Sequence, residues 1–141
     1  MAGLDQDTPI PVSIVLHQVS RVLELAYADG RSFRLPAEYL RVYSPSAEVR
    51  GHGPGQETLQ TGKAAVGIDG LEAVGHYAIQ PQFSDGHNSG IYSWDYLYDL
   101  CVNQDAHWAD YLRRLVAAGA SREPDSGLQA NAITRSRGGC A

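Results

Sequence analysis

Two stretches of the chain alternate apolar and polar residues and then close on the same dipeptide. In the first, Leu23, Leu25 and Tyr27 alternate with Glu24, Ala26 and Ala28 before Asp29-Gly30, and Phe33 and Leu35 come next. In the second, Ile79-Gln80-Pro81-Gln82-Phe83-Ser84 leads to Asp85-Gly86, and Ile91 comes after it. A period of two predicts strands with one apolar face. Asp-Gly between such runs predicts a hairpin, because glycine tolerates the positive φ of a tight turn. Each hairpin runs into a short aromatic helix. Tyr39, Leu40 and Tyr43 share one side after Pro36, and Trp94, Leu97, Tyr98 and Cys101 share a face after the N-cap residue Ser93.

Further strands are predicted at Val12, Ile14 and Leu16, with one firmly buried face, and at Val66, Ile68 and Leu71. Pro81 places the second-copy strand at an edge or at a bulge. Between Ser46 and Gly62 the chain reads as a long loop, with Gly51, Gly53, Pro54 and Gly55 inside it. The last helix is the clearest element: Trp108, Tyr111, Leu112, Leu115 and Val116 have helical spacing, and Gly119 is a natural stop. The expectation is an α+β domain over residues 12–120, with about five or six mostly antiparallel strands in a sheet and the helices over one face. Residues 1–11 read as a flexible lead-in and residues 121–141, rich in Ser, Arg and Gly, as a disordered tail.

Length and charge narrow the function. A chain of 141 residues is one ordinary domain. Its formal net charge is −5 and Lys63 is its one lysine, so no basic face is expected for nucleic acid or for an anionic membrane. No apolar run reaches the roughly 20 residues needed to span a bilayer. The first eleven residues carry acids and prolines rather than an apolar signal core, so a cytoplasmic protein is expected. The two cysteines, Cys101 on a helix and Cys140 in the tail, read as a buried and an exposed thiol.

No motif specifies catalysis. The run Gly51-His52-Gly53-Pro54-Gly55 with Thr61-Gly62-Lys63 has exposed backbone amides that suit an anion, but Ala64 stands where a P-loop needs Ser or Thr. None of His17, His52, His76, His87 and His107 begins a His-x-Asp or His-x-Glu pair, and no Cys-x-x-Cys exists. Ser93 is occupied as a cap, there is no Gly-x-Ser-x-Gly elbow, and the Asp-Gly turns account for Asp29 and Asp85.

Longer phrases carry a resemblance. Leu35-Pro36-Ala37-Glu38-Tyr39-Leu40-Arg41-Val42-Tyr43 continues through Ser44-Pro45-Ser46-Ala47-Glu48-Val49-Arg50-Gly51-His52-Gly53-Pro54-Gly55. Leu59-Gln60-Thr61-Gly62-Lys63, Asp85-Gly86-His87 and Gly90-Ile91-Tyr92-Ser93-Trp94-Asp95-Tyr96-Leu97 complete the pattern. Over about residues 12–120 the chain resembles the DUF971 family, the gamma-butyrobetaine hydroxylase-like N-terminal domain, and among its members the small stand-alone bacterial ones. The resemblance implies a two-layer α/β sandwich, here built from two hairpin–helix units and a long C-terminal helix. In the hydroxylases such a domain holds structural zinc through three cysteines and a histidine and helps the enzyme dimerise. Elsewhere it is fused behind P-loop ATPases that carry iron–sulfur clusters. Carried over residue by residue, the cysteines fall on Ser44, Ser46 and Val49 and the histidine on His87. One of the four ligands is retained, where zinc needs thiolates or imidazoles in tetrahedral array.

The residues and the resemblance together give three functional expectations. The first is a non-enzymatic interaction module, without catalytic residues or cofactor, that docks on another protein in iron–sulfur or redox-enzyme maturation. Its docking surface would be Arg50, Gly51, His52, Gly53, Pro54, Gly55 and Gln56, with His87 and Trp94 nearby; the resemblance also allows a homodimer. The second is an iron or zinc protein using His52, His87 and Asp85. The third is a small enzyme with a glycine-loop anion site, lined by Arg41 or Arg50.

Overall fold

The structure is a computed structural model that describes residues 8–50 and 58–123. Strands β1 (Ser13–His17), β2 (Val22–Ala26) and β3 (Ser32–Pro36) form an antiparallel sheet in that order. Helix α1 (Ala37–Val42) and the short α2 (Ala47–Arg50) come next. Strands β4 (Ile68–Val74), β5 (Ala78–Phe83) and β6 (Tyr92–Ser93) form a second antiparallel sheet, and α3 (Trp94–Val102) and α4 (Gln104–Ala118) close the fold. The expected α+β class stands. The strands do not share one sheet, because each unit pairs its own strands through short turns while α1, α2 and a long connection intervene between β3 and β4.

The sequence repeat is a structural repeat. In the first unit Tyr27 N donates to Arg31 O at 2.9 Å and Gly30 N to Tyr27 O at 3.0 Å; in the second, Phe83 N donates to His87 O and Gly86 N to Phe83 O, both at 3.0 Å. Gly30 and Gly86 take φ of 92° and 91°, where a side chain would be strained. Asp29 Oδ1 accepts from Arg31 N and Asp85 Oδ1 from His87 N, so each aspartate closes its own turn. The helices then latch onto each other reciprocally. The Tyr39 hydroxyl of α1 donates to Leu100 O at 2.7 Å, and the Tyr96 hydroxyl of α3 donates to Tyr43 O. Tyr39 precedes Tyr43 as Tyr96 precedes Leu100, so the two bonds exchange under a pseudo-twofold relation of the units. Both satisfy carbonyls at helix C-termini, which have no partner within the helix. Burial pushes the Tyr39 and Tyr96 hydroxyls above the ordinary tyrosine range.

The core obeys the period-two pattern. Leu16, Leu23 and Leu35 lie across one another on one face of the first sheet, as do Ile14, Leu25 and Phe33. Leu40, Tyr92, Leu97 and Leu100 complete the buried centre. On the opposite face Glu24 accepts from His17 at 2.8 Å and Arg34 at 3.1 Å. Pro81 lies beyond the two β5 residues paired with β6 and faces Leu71 of β4, next to the register shift between Ile68 and Gly70, which suits a residue that cannot donate to a ladder. Cys101 is buried with its thiol 4.0 Å from the Tyr27 hydroxyl, and burial pushes its pKa up to about 11.

Three further expectations are corrected. The firmly buried face of β1 is half-buried at Ile14 and Leu16 and exposed at Val12, because β1 is the edge of its sheet. On α4, Tyr111 and Leu115 are buried but Leu112 and Val116 are exposed, so the helix packs through a narrower seam than its apolar stripe. The first residues of the expected tail belong to the fold: Gly62 N donates to Ser121 O and Ala64 N to Arg122 O, each at 2.9 Å. Arg122 also holds the buried Glu38 through two 2.8 Å bonds and lies over the Trp108 ring. Cys140 and the rest of the tail lie outside the described residues. Among those described, no helix is long and apolar enough to cross a membrane.

Candidate functional site

The pseudo-twofold relation sets each Asp-Gly turn beside the helix of the other unit. At the first turn Arg31 binds Asp29, reaches the Tyr98 hydroxyl of α3 and lies over the Phe33 and Tyr98 rings, forming an exposed cation–π cluster. At the second turn Asp85 meets Arg41 of α1. The units differ beyond the C-termini of their helices: α3 passes into α4 through Asn103, whereas α1 leads into Ser44, Pro45, Ser46 and α2. That extra segment walls off a concave pocket of about 440 Å³, lined by Arg41, Val49, Gln60, Asp85, His87 and Asn88 among others.

The pocket's charges are tied together. Asp85 Oδ2 accepts from Arg41 Nε at 2.9 Å and from Lys63 Nζ at 3.0 Å, while Oδ1 accepts from His87 N at 3.2 Å. Burial alone would raise the Asp85 pKa, but the Lys63 ammonium, the His87 amide and the Arg41 guanidinium together hold it below the ordinary carboxylate range. Arg41 Nη1 donates to Gln60 Oε1 at 3.0 Å, and Tyr111 fixes this segment by donating to Gln60 O at 2.7 Å.

Behind the pocket, His87 Nε2 and Ser44 Oγ are 2.8 Å apart, and Ser46 N donates to the same oxygen at 3.3 Å. Ser44, Ser46, Val49 and His87 are all buried. A Cβ on Gly90 would fall inside van der Waals contact of Ser44 Oγ, and 3.2 and 3.3 Å from Tyr92 Cε1 and Pro45 Cδ. Only a glycine lets the β5–β6 connection approach this closely.

Of the expected metal set, Asp85 is engaged by two cations, His87 shares its Nε2 with Ser44, and His52 lies outside the described residues. The zinc implied by the resemblance does not fit the side chains present: two hydroxyls and an isopropyl group stand where thiolates are needed. Among the described residues no three His, Cys, Asp or Glu side chains form a group able to hold a metal ion. Of the expected docking surface, Gly51, His52, Gly53, Pro54, Gly55 and Gln56 lie outside the described residues. Arg50 lies over the Tyr96 ring at 5.0 Å, and Trp94 Nε1 donates to His76 O at 2.8 Å. Arg41, expected to line an anion pocket, lines the cavity beside the second turn. Sequence reasoning missed the site role of Gln60, which figured only within a family phrase, and of Asn88, which carries no motif, and noted Lys63 without placing it; its being the chain's one lysine was the available signal.

The family described as gamma-butyrobetaine hydroxylase-like, N-terminal, matches residues 14–98. A protein known from an NMR solution structure is 52% identical, with 84% of this chain and 94% of that one covered at a TM-score of 0.74. A second NMR structure is 49% identical over 86% and 91% of the two chains, with a TM-score of 0.72. A crystal structure of a DUF971 family protein of unknown function from Acidithiobacillus ferrooxidans is 42% identical over 66% and 91%, with a TM-score of 0.53. No curated protein matches.

Proposed function

The chain belongs to the gamma-butyrobetaine hydroxylase-like N-terminal family, and from that premise we propose that it is a non-enzymatic, cytoplasmic accessory module that docks on another protein. The disposition of α4 carries the reading. Leu112 and Val116, one turn apart on an amphipathic helix, face outward, with Val116 81% exposed. Apolar side chains on a face over which none of the described residues packs suit a partner surface better than solvent. The pairing of Ser44 with His87 supports the non-enzymatic part. It would be a nucleophile and base by type, but Ser44 is 1% exposed, so no substrate carbonyl has room to approach its oxygen. The fusions seen in the family point to iron–sulfur or redox-enzyme maturation as the setting.

The test is photo-crosslinking in the native cells from position 112, 116 or 50, with position 72 on the outer face of β4 as control. One protein captured from 112 and 116, and lost in the Leu112→Glu/Val116→Glu variant, is the expected result. Capture from position 50 alone would move the docking surface to the Arg50 segment. No capture above the control at any of the three would overturn the reading.

A further inference from the structure

We propose that the pocket between α1 and the second Asp-Gly turn binds a small oxyanion, a carboxylate or a phosphate. Two cations, Arg41 and Lys63, converge there on a single carboxylate, Asp85, leaving an excess positive charge in a chain whose formal net charge is −5. The chain's one lysine is spent at this place.

The guanidinium of Arg41 supplies the specific feature. Its Nε donates to Asp85 and its Nη1 to Gln60, but its Nη2 finds no acceptor among the described residues. The Arg41 side chain is only 9% exposed and Arg41 lines the cavity, so its remaining N–H groups are largely withdrawn from bulk water at the wall of that cavity. An arginine cannot relieve the cost by losing its proton, and buried donors without acceptors are rare in folded proteins. An oxyanion entering the pocket would accept from Nη2 in the planar geometry that guanidinium offers to carboxylate and phosphate. Lys63 Nζ, partly exposed beside it, has donors to spare beyond its one bond to Asp85. Asn88, an exposed neutral residue, also lines the cavity. Asp85 does not repel the ligand outright, since its charge is already compensated by two cations. It acts as the strut that keeps both in place. The inference goes beyond the docking reading and stands without it, because the anion can be a free small molecule or the carboxylate of an acidic side chain on a partner.

The experiment is a ¹H–¹⁵N titration of the full chain with sodium phosphate, sodium acetate and sodium chloride at constant ionic strength, then with a triglutamate peptide and its triglutamine counterpart. Saturable shifts at Gly86, His87, Asn88 and the Arg41 Nε are expected with phosphate or acetate and not with chloride. Lys63→Gln, on a partly exposed side chain, should leave the spectrum folded and weaken binding roughly fivefold to tenfold. Arg41→Lys should weaken it further, by keeping the charge and removing the fork. Peptide affinity more than about tenfold above that of acetate, absent for triglutamine, would identify a partner's side chain as the ligand; no such gain would identify a free anion. Shifts that rise linearly, scatter over the surface or survive unchanged in Lys63→Gln would overturn the site.

Discussion

Gly90→Ala is the sharpest probe of how the second turn is held against the segment after α1. The new methyl group would collide with Ser44 Oγ while lying within 3.3 Å of Tyr92 and Pro45, in a region where Ser44 and Tyr92 are buried. Overpacking of a tight core site costs about 1–3 kcal/mol. If the strain is relieved by moving Ser44, its 2.8 Å bond to His87 is lost, for about 1–3 kcal/mol, because a buried ring nitrogen gives up that hydrogen bond. These are alternative routes of relaxation, so the expected cost is about 1–3 kcal/mol, a sizeable part of the 5–15 kcal/mol that holds an ordinary domain together. Ser44→Ala alone should cost about 1–3 kcal/mol through the His87 bond. The double variant separates the causes. With Oγ gone the main collision disappears, so Ser44→Ala/Gly90→Ala should cost at least about 1 kcal/mol less than the sum of the single variants. Independent sites add to within about 0.5 kcal/mol. Urea unfolding followed by far-ultraviolet circular dichroism gives all four stabilities. Additive single costs, or a Gly90→Ala variant as stable as the wild type, would refute the packing argument.

Arg122→Ala should destabilise by about 2 kcal/mol, less than a fully buried pair because Arg122 is itself 43% exposed, and Glu38→Gln in that background should restore part of the loss in urea unfolding. Asp85 has a folded pKa below its unfolded value, so its contribution is complete above about pH 4 and is lost as pH falls through the folded pKa. Asp85→Asn should therefore be less stable than wild type at pH 6, with the gap narrowing below about pH 4; a gap independent of pH would contradict the assignment. In a Cys140→Ser background, Cys101 should react with a disulfide reagent at pH 8 at least about a hundredfold more slowly folded than in denaturant, since it is buried with a pKa of about 11.

The repeat was legible because its signals are local. Alternation at Leu23, Leu25 and Tyr27 and the Asp-Gly pairs specify strand, face and turn within a few residues, and both turns close with the same bonds. The division into two sheets was not, since nothing in a strand names its neighbour. The β1 edge and the exposed Leu112 and Val116 were misjudged for a related reason: periodicity reports an apolar side, not whether something covers it. Residues 121–123 read as tail by composition, yet backbone bonds to residues 62 and 64 and the Arg122–Glu38 pair, 84 positions apart, bind them to the domain. Within the site, Arg41 and His87 stood out by type and by family resemblance. The Gln60 contribution and the close approach of Gly90 to Ser44 arise only when distant segments meet.

The Ser44–His87 pair invites one last test, because it separates where a site is from what fills it. The resemblance assigns cysteines to the positions of Ser44, Ser46 and Val49 and a histidine to His87. In the structure Ser44 bonds to His87 and to the Ser46 amide, while Val49 lines the same cavity as His87. The backbone thus brings the four positions together without the thiolates that zinc requires. Ser44→Cys/Ser46→Cys/Val49→Cys should then take up about one zinc per chain by elemental analysis, and lose it on His87→Ala, because three thiolates and one imidazole make a closed tetrahedral set. Bound zinc should also raise the unfolding midpoint, since ligand that binds only the folded state adds to its stability. The natural sequence under the same loading should show no stoichiometric metal, and chelator should leave its midpoint unchanged. A triple variant that folds but holds no more zinc than the natural chain would mean that the four positions do not converge closely enough. A natural chain with one tightly held metal would mean that a donor outside the described residues completes the set, and the hydrogen-bonded clamp would no longer describe the site.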